Sequence, residues 1–160
     1  MIALLLLLIV GATPLAAQNP EPVVEVSGGA LAFTEATEPF AGTAARFYVS
    51  PRISLGPEIT FIFGNNHSHL MLTGNAWFDF LGPRSGQPRR VTPFGVVGGG
   101  LFHTREQFSV GNFNSTEGAF TAGGGIRTLL GNRVTLGADL RVGWELHVRA
   151  GATIGVRFGK

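Results

Sequence analysis

The stretch from Asn132 to Phe158 constrains this chain most, because polar and apolar residues alternate through it almost without a break. Val134, Leu136, Ala138, Leu140, Val142 and Trp144 form one apolar set, separated by Arg133, Thr135, Gly137, Asp139, Arg141 and Gly143. The pattern then repeats: Leu146, Val148, Ala150, Ala152, Ile154, Val156 and Phe158 alternate with His147, Arg149, Gly151, Thr153, Gly155 and Arg157. A period of two belongs to a β-strand, whose successive side chains point to opposite faces. A helix over the same residues would scatter the charges around its circumference. It would also carry four interior glycines, each costing about 1 kcal/mol relative to alanine. The stretch is therefore two adjacent strands with one apolar face and one charged face.

The alternation leaves open which face is inside. In a soluble sandwich or a lipocalin-like barrel the apolar set would line the core. In a membrane-spanning barrel it would face lipid, and the arginines would point into the lumen. The charged face favours the second arrangement, because it is built from arginine and glycine rather than from the Lys, Glu, Thr and Ser of a wetted sheet. A guanidinium reaching across a narrow polar interior needs small neighbours. Composition agrees. There is one lysine, Lys160, against eleven arginines, and charged residues make up 14% of the chain, well below the usual ~25%. Glycine, at 24 residues, is about twice its usual share. A surface so short of lysine and glutamate is one that largely avoids water. The net charge of +2, spread along the chain, excludes a nucleic-acid partner. The absence of cysteine excludes a disulfide framework and thiolate metal sites.

Residues 1–17 are an apolar run that reads as a secretory signal peptide, with Ala16 and Ala17 at the cleavage point. An uncleaved anchor is the competing reading, and a run broken by Gly11 and Pro14 is short for spanning. Residues 18–21 form a short polar leader, and 22–160 a single barrel domain. No later segment has the apolar length of a spanning helix, so a closed barrel is the structure that remains for crossing lipid.

The alternation predicts strands at about 22–34, 42–50, 53–64, 67–81, 91–105 and 115–129 ahead of the final pair, eight in all. Loops are expected at 34–41, with Glu35 and Glu38, at 82–90, and at 106–114, the longest. Pro57 inside the third strand predicts a bulge or a start shifted to Glu58. The triplets Gly98–Gly100 and Gly123–Gly125 are expected to lie opposite one another.

The segments SPRISLGPEITFIFG (50–64), VTPFGVVGGGLFHTR (91–105), GNRVTLGADLRVGW (131–144) and HVRAGATIGVRF (147–158) carry a resemblance. The chain resembles the small eight-stranded outer-membrane β-barrel proteins of the outer-membrane β-barrel domain family, by pattern over roughly the whole mature chain. The resemblance implies an all-β fold, an eight-stranded antiparallel up-and-down transmembrane β-barrel in the bacterial outer membrane, with both termini on the periplasmic side. It also implies contact with outer-membrane lipid and lipopolysaccharide, and insertion by the barrel assembly machinery. That machinery reads a C-terminal phenylalanine, here matched by Phe158 ahead of Gly159 and Lys160.

On this register Glu25, Glu58, Asp79 and Asp139 share a lumen with Arg46, Arg127, Arg133, Arg141, Arg149 and Arg157. An eight-stranded bore is just wide enough for side chains to fill it, and buried charges must be paired. A salt-bridge network is therefore expected in preference to a gated pore. Barrel closure is expected to bring Glu25 beside Arg157. The lipid-facing set comprises Val134, Leu136, Leu140, Val142, Val148, Ile154, Val156 and Phe158.

His67 and His69 share one strand face, but no third metal ligand is near in sequence. His103 and His147 are expected at the rim; a lipid-A-modifying barrel enzyme would use residues of this kind, although the closely spaced His-x-Ser of such enzymes is missing. Phe108 and Phe113 are either a recognition surface in the longest loop or part of an aromatic belt with Phe102 and Trp144. The reading is a monomeric outer-membrane barrel with a filled lumen, non-enzymatic and without cofactor, structural or binding through its loops. The alternatives are a soluble periplasmic lipocalin-like carrier, a lipid-A-modifying enzyme and a narrow pore.

Overall fold

The alternation seen in the last two strands governs the whole chain. The computed structural model describes residues 21–33, 36–64, 67–82, 90–108, 111–144 and 147–159, with the side chains of 106–108 and 111–113 left aside. The strands are β1 (Val23–Ala32), β2 (Thr37–Tyr48), β3 (Ile53–Phe63), β4 (His67–Asp79), β5 (Val91–Phe108), β6 (Gly111–Leu130), β7 (Val134–Gly143) and β8 (Val148–Arg157). Each pairs antiparallel with the next, and β1 pairs with β8, so the sheet is a closed barrel. Closure satisfies the ladder groups that an open edge would leave bare. Among the described residues no helix is long and apolar enough to cross a membrane, and the signal-peptide expectation for residues 1–17 lies outside them.

Even positions of β2, β3 and β5 and odd positions of β1, β4, β6, β7 and β8 point inward. The outward face carries Leu140 at 61% exposure and Val97 at 60%, while inward Arg46 and Arg149 are each 1% exposed. Val134, Leu136, Leu140, Val142, Val148, Ile154 and Val156 all sit on the outward face, and Phe158 is exposed just beyond β8.

Several expectations need correction. The loop expected at 34–41 is largely strand, since β2 begins at Thr37, and Glu38 is an inward residue only 5% exposed. Its neighbours Thr37 and Pro39 face out, so the period of two runs straight through what reads as acidic loop sequence. The long loop expected at 106–114 is the closing end of a hairpin: Glu106 pairs with Phe113 and Phe108 with Gly111. The side chains of Phe108 and Phe113 lie outside the described residues. Pro57 makes no bulge, for the β2–β3 register is the same before and after it. The ladder instead omits two pairs, Ala45 with Pro57 and Arg46 with Gly56, where proline has no N–H to donate. The glycine triplets do not face each other: Gly98–Gly100 pair with Thr121–Ala119, and Gly123–Gly125 with Val96–Phe94. At Gly123 a Cβ would sit 2.1 Å from the Leu140 oxygen and 3.0 Å from the Arg141 Cγ. Glycine there leaves the space through which the Arg141 side chain enters the lumen.

Four connections, β1–β2, β3–β4, β5–β6 and β7–β8, gather at one end of the barrel, called here the mouth. The chain ends and the other three connections lie at the base. Among these is the turn after β6, where Gly131 takes a left-handed φ of 62°.

Candidate functional site: the lumen and its mouth

The lumen is filled in layers. Nearest the base, the Arg46 guanidinium donates to both oxygens of Glu25, Nη2 to Oε1 at 2.5 Å and Nε to Oε2 at 3.1 Å. Arg46 and Arg127 also donate to the Tyr48 hydroxyl at 3.3 Å, and that hydroxyl donates to Asp79. Arg127 lies 3.1 Å from Asp79 as an ion pair, without hydrogen-bond alignment, and packs its guanidinium 4.1 Å from the centre of the Phe94 ring.

At mid-height Glu58 on β3 is the hub. It accepts from Arg149 at 2.5 Å, Arg141 at 2.7 Å and Asn75 at 2.7 Å, donors carried by β8, β7 and β4. Arg141 turns its other edge to Asp139, with bonds of 3.0 and 2.7 Å. Buried carboxylates met by arginine forks in this way are strongly held, because each bond is charge-assisted. These cross-lumen ties occupy the bore of an eight-stranded barrel.

The network holds most of the expected members, with two changes. Arg133 is exposed in the turn before β7 and takes no place in the lumen. Closure does bring Glu25 and Arg157 onto neighbouring strands, two residues apart in register, but the carboxylate bonds Arg46. Both Arg46 and Arg157 flank Val23, one on each neighbouring strand, and Arg46 takes both carboxylate oxygens. Arg157 makes no ion pair with Glu25, and its Nε has no hydrogen-bond partner among the described residues.

Above Glu58 lies an apolar plug of Leu31, Phe40, Ile62, Met71, Phe102 and Ala119. Phe102 is thus inside, stacked on His69 at 5.0 Å, and not in an aromatic belt. Above the plug, at the mouth, three residues that the sequence left apart come together. His67 and His69 share the inner face of β4, their ring centres 4.9 Å apart. Glu38 reaches them from β2: its Oε1 bonds the His67 Nε2, and its Oε2 lies 3.9 Å from the His69 Nε2. One ligand atom from each of the three lies within 4.8 Å of the others. The sequence signal for Glu38 was its place in a continuing alternation, hidden by the loop-like residues Glu35, Thr37 and Pro39.

The other two histidines are apart from this group. His103 faces outward and bonds Thr116 at 2.8 Å. His147 is buried, its Nδ1 bonding the Trp144 carbonyl at 2.5 Å and its ring lying against Phe33. Burial pushes the His147 pKa down; the Trp144 carbonyl opposes this and the Arg149 charge adds to it.

Neither a family model nor a curated protein matches this chain. Solved structures do. Neisserial surface protein A superposes with a TM-score of 0.68 at 12% identity, over 86% of this chain and 96% of its own. The N-terminal β-barrel domain of Pseudomonas aeruginosa OprF gives 0.68 at 14% identity, over 88% and 100%. This chain has the fold of the small eight-stranded outer-membrane β-barrels. Ail, the attachment invasion locus protein of Yersinia pestis, shares it with a TM-score of 0.58 at 9% identity, over 88% and 99%.

Proposed function

We propose that the mature chain is a monomeric outer-membrane barrel with a closed, non-conducting lumen, which acts through its wall and its mouth rather than by catalysis. The observation that carries this is the inversion of the two faces. Leu140 and Val97 stand exposed while Arg46, Glu58 and Arg149 are buried, the reverse of a soluble carrier barrel. In water each exposed apolar Å² would cost about 25 cal/mol; in lipid that cost disappears. The apolar ring has no seam, since β8 returns to β1.

The ion networks support closure rather than conduction, because an open pore would need the Glu58 ties to part. Against a lipid-modifying activity stands the placement of His103 and His147 on opposite faces of the wall. The hairpin ends at the mouth, with Phe108 and Phe113, are the surface we assign to binding a partner outside the cell. Ail, by its name an attachment protein, has the same fold.

The test is expression of the full chain in a two-membrane bacterium, followed by fractionation and a denaturing gel of heated and unheated samples. A heat-sensitive band in the outer-membrane fraction is expected, with no unitary current from the purified protein in a planar bilayer. Recovery in the soluble periplasm would overturn the membrane reading, and steady single-channel steps would overturn closure.

A further inference from the structure

We propose that Glu38, His67 and His69 form a binding site for a divalent first-row transition metal at the mouth of the barrel, with Zn²⁺ the ion it suits. Two imidazoles and one carboxylate are a complete three-ligand protein set for Zn²⁺ that leaves a fourth position open. The chain contains no cysteine to compete for it.

The geometry supports a ligand set over a simple ion pair. A tetrahedron with bonds of 2.0–2.1 Å places neighbouring ligand atoms about 3.4 Å apart. The three donor atoms already fall within 4.8 Å of one another, so the ion requires only small side-chain rotations. The Glu38 side chain is 7% exposed, yet its Oε2 accepts no hydrogen bond from any described residue. A carboxylate oxygen buried this deeply without a donor is costly unless something positive meets it. His69 is held from behind: its Nδ1 lies 3.0 Å from the Thr104 hydroxyl, and its ring stacks on Phe102. A proton on Nδ1 shared with Thr104 turns the Nε2 lone pair toward Glu38, the supporting contact that metal-bound histidines commonly have. His67, at 33% exposure, is the most solvent-exposed of the three ligands.

The set also joins strands that are not neighbours, because β3 lies between β2 and β4. A bound ion would clasp the wall above the apolar plug, where the ion networks below do not reach.

The test uses the full chain, folded in detergent micelles, stripped with chelator and titrated with Zn²⁺. Uptake of one equivalent is expected. Glu38→Gln and His69→Ala should each weaken it by at least about a hundredfold, and Thr104→Val by about tenfold, as loss of a supporting contact does. His103→Ala, on the outer face, should bind as the parent does. Heat-dependent gel migration of each variant reports that the barrel is intact. Should a variant fail to fold, Co²⁺ added to the parent chain decides: visible bands of a four- or five-coordinate ion, discharged by one equivalent of Zn²⁺, are expected. No saturable uptake, or uptake untouched by Glu38→Gln and His69→Ala, would overturn the site, as would a Co²⁺ spectrum identical to that of the free ion.

Discussion

Glu58 at mid-barrel and Glu38 at the mouth are buried almost equally, at 2% and 5% exposure, yet their surroundings differ in kind. Glu58 meets two arginines and an amide, and both of its oxygens are in use. Glu38 meets two imidazoles and no arginine, and one of its oxygens accepts no hydrogen bond from a described residue. Depth alone does not distinguish a structural charge from a binding one; the supply of permanent donors does. Arginine stays charged across the working range, so the lower lumen is a fixed plug. An imidazole nitrogen is a metal ligand where a guanidinium is not, so the mouth can take an ion.

This contrast can be broken first at its strongest point. Glu58→Gln keeps the side-chain volume but leaves Arg141 and Arg149 buried without their shared counter-charge. A loss of about 3–5 kcal/mol is expected, read as a lower urea midpoint for unfolding from lipid vesicles. A midpoint equal to the parent's would mean that the network does not hold the lumen. Leu140→Arg tests the opposite face of the same wall. On the lipid side near the midplane an arginine should cost about 2–4 kcal/mol, measured in the same assay, whereas a water-facing wall would accept it freely. Glu25→Gln, nearer the base and beside the chain ends, removes one charge-assisted pair and should cost about 2 kcal/mol. The smallest change belongs to the mouth. With chelator present, His67→Ala should cost about 1 kcal/mol, the low end for a lost buried partner, because removing the part-exposed ring lets water reach the Glu38 carboxylate. A loss as large as that of Glu58→Gln would show that the mouth is structural too.

The two regions were unequally legible in the sequence. The faces of the strands follow from the alternation, and nearly every expected lumen charge points inward, because one face of a period-two strand is fixed once the other meets lipid. Pairing was harder to read. Glu25 could meet Arg46 or Arg157, which lie across from the same residue, Val23, so alternation and register leave the choice to the side chains. Arg133 belonged by alternation to the inner set, but β7 begins one residue later and leaves it in the turn. The mouth was read least well. His67 and His69 were visible as a same-face pair, but their third partner lies 29 residues from His67, in a segment whose acids and Pro39 resemble a loop. Backbone pairing of β1 with β2 and of β5 with β6 carries strand structure further toward the mouth than local composition suggests.

The central claim is that lipid meets the face bearing Leu136, Leu140 and Val142, and that the intervening positions are sealed from it. The chain has no cysteine, so single cysteines can be placed without background. The decisive measurement puts a fluorophore on cysteines replacing Leu136, Leu140 and Val142 on one face, and Thr121, Thr135 and Thr153 on the other, in vesicles of brominated lipid. Strong quenching at the first three and none at the second three is expected. Quenching of the threonine positions with the leucine and valine positions spared would turn the barrel inside out and contradict the account.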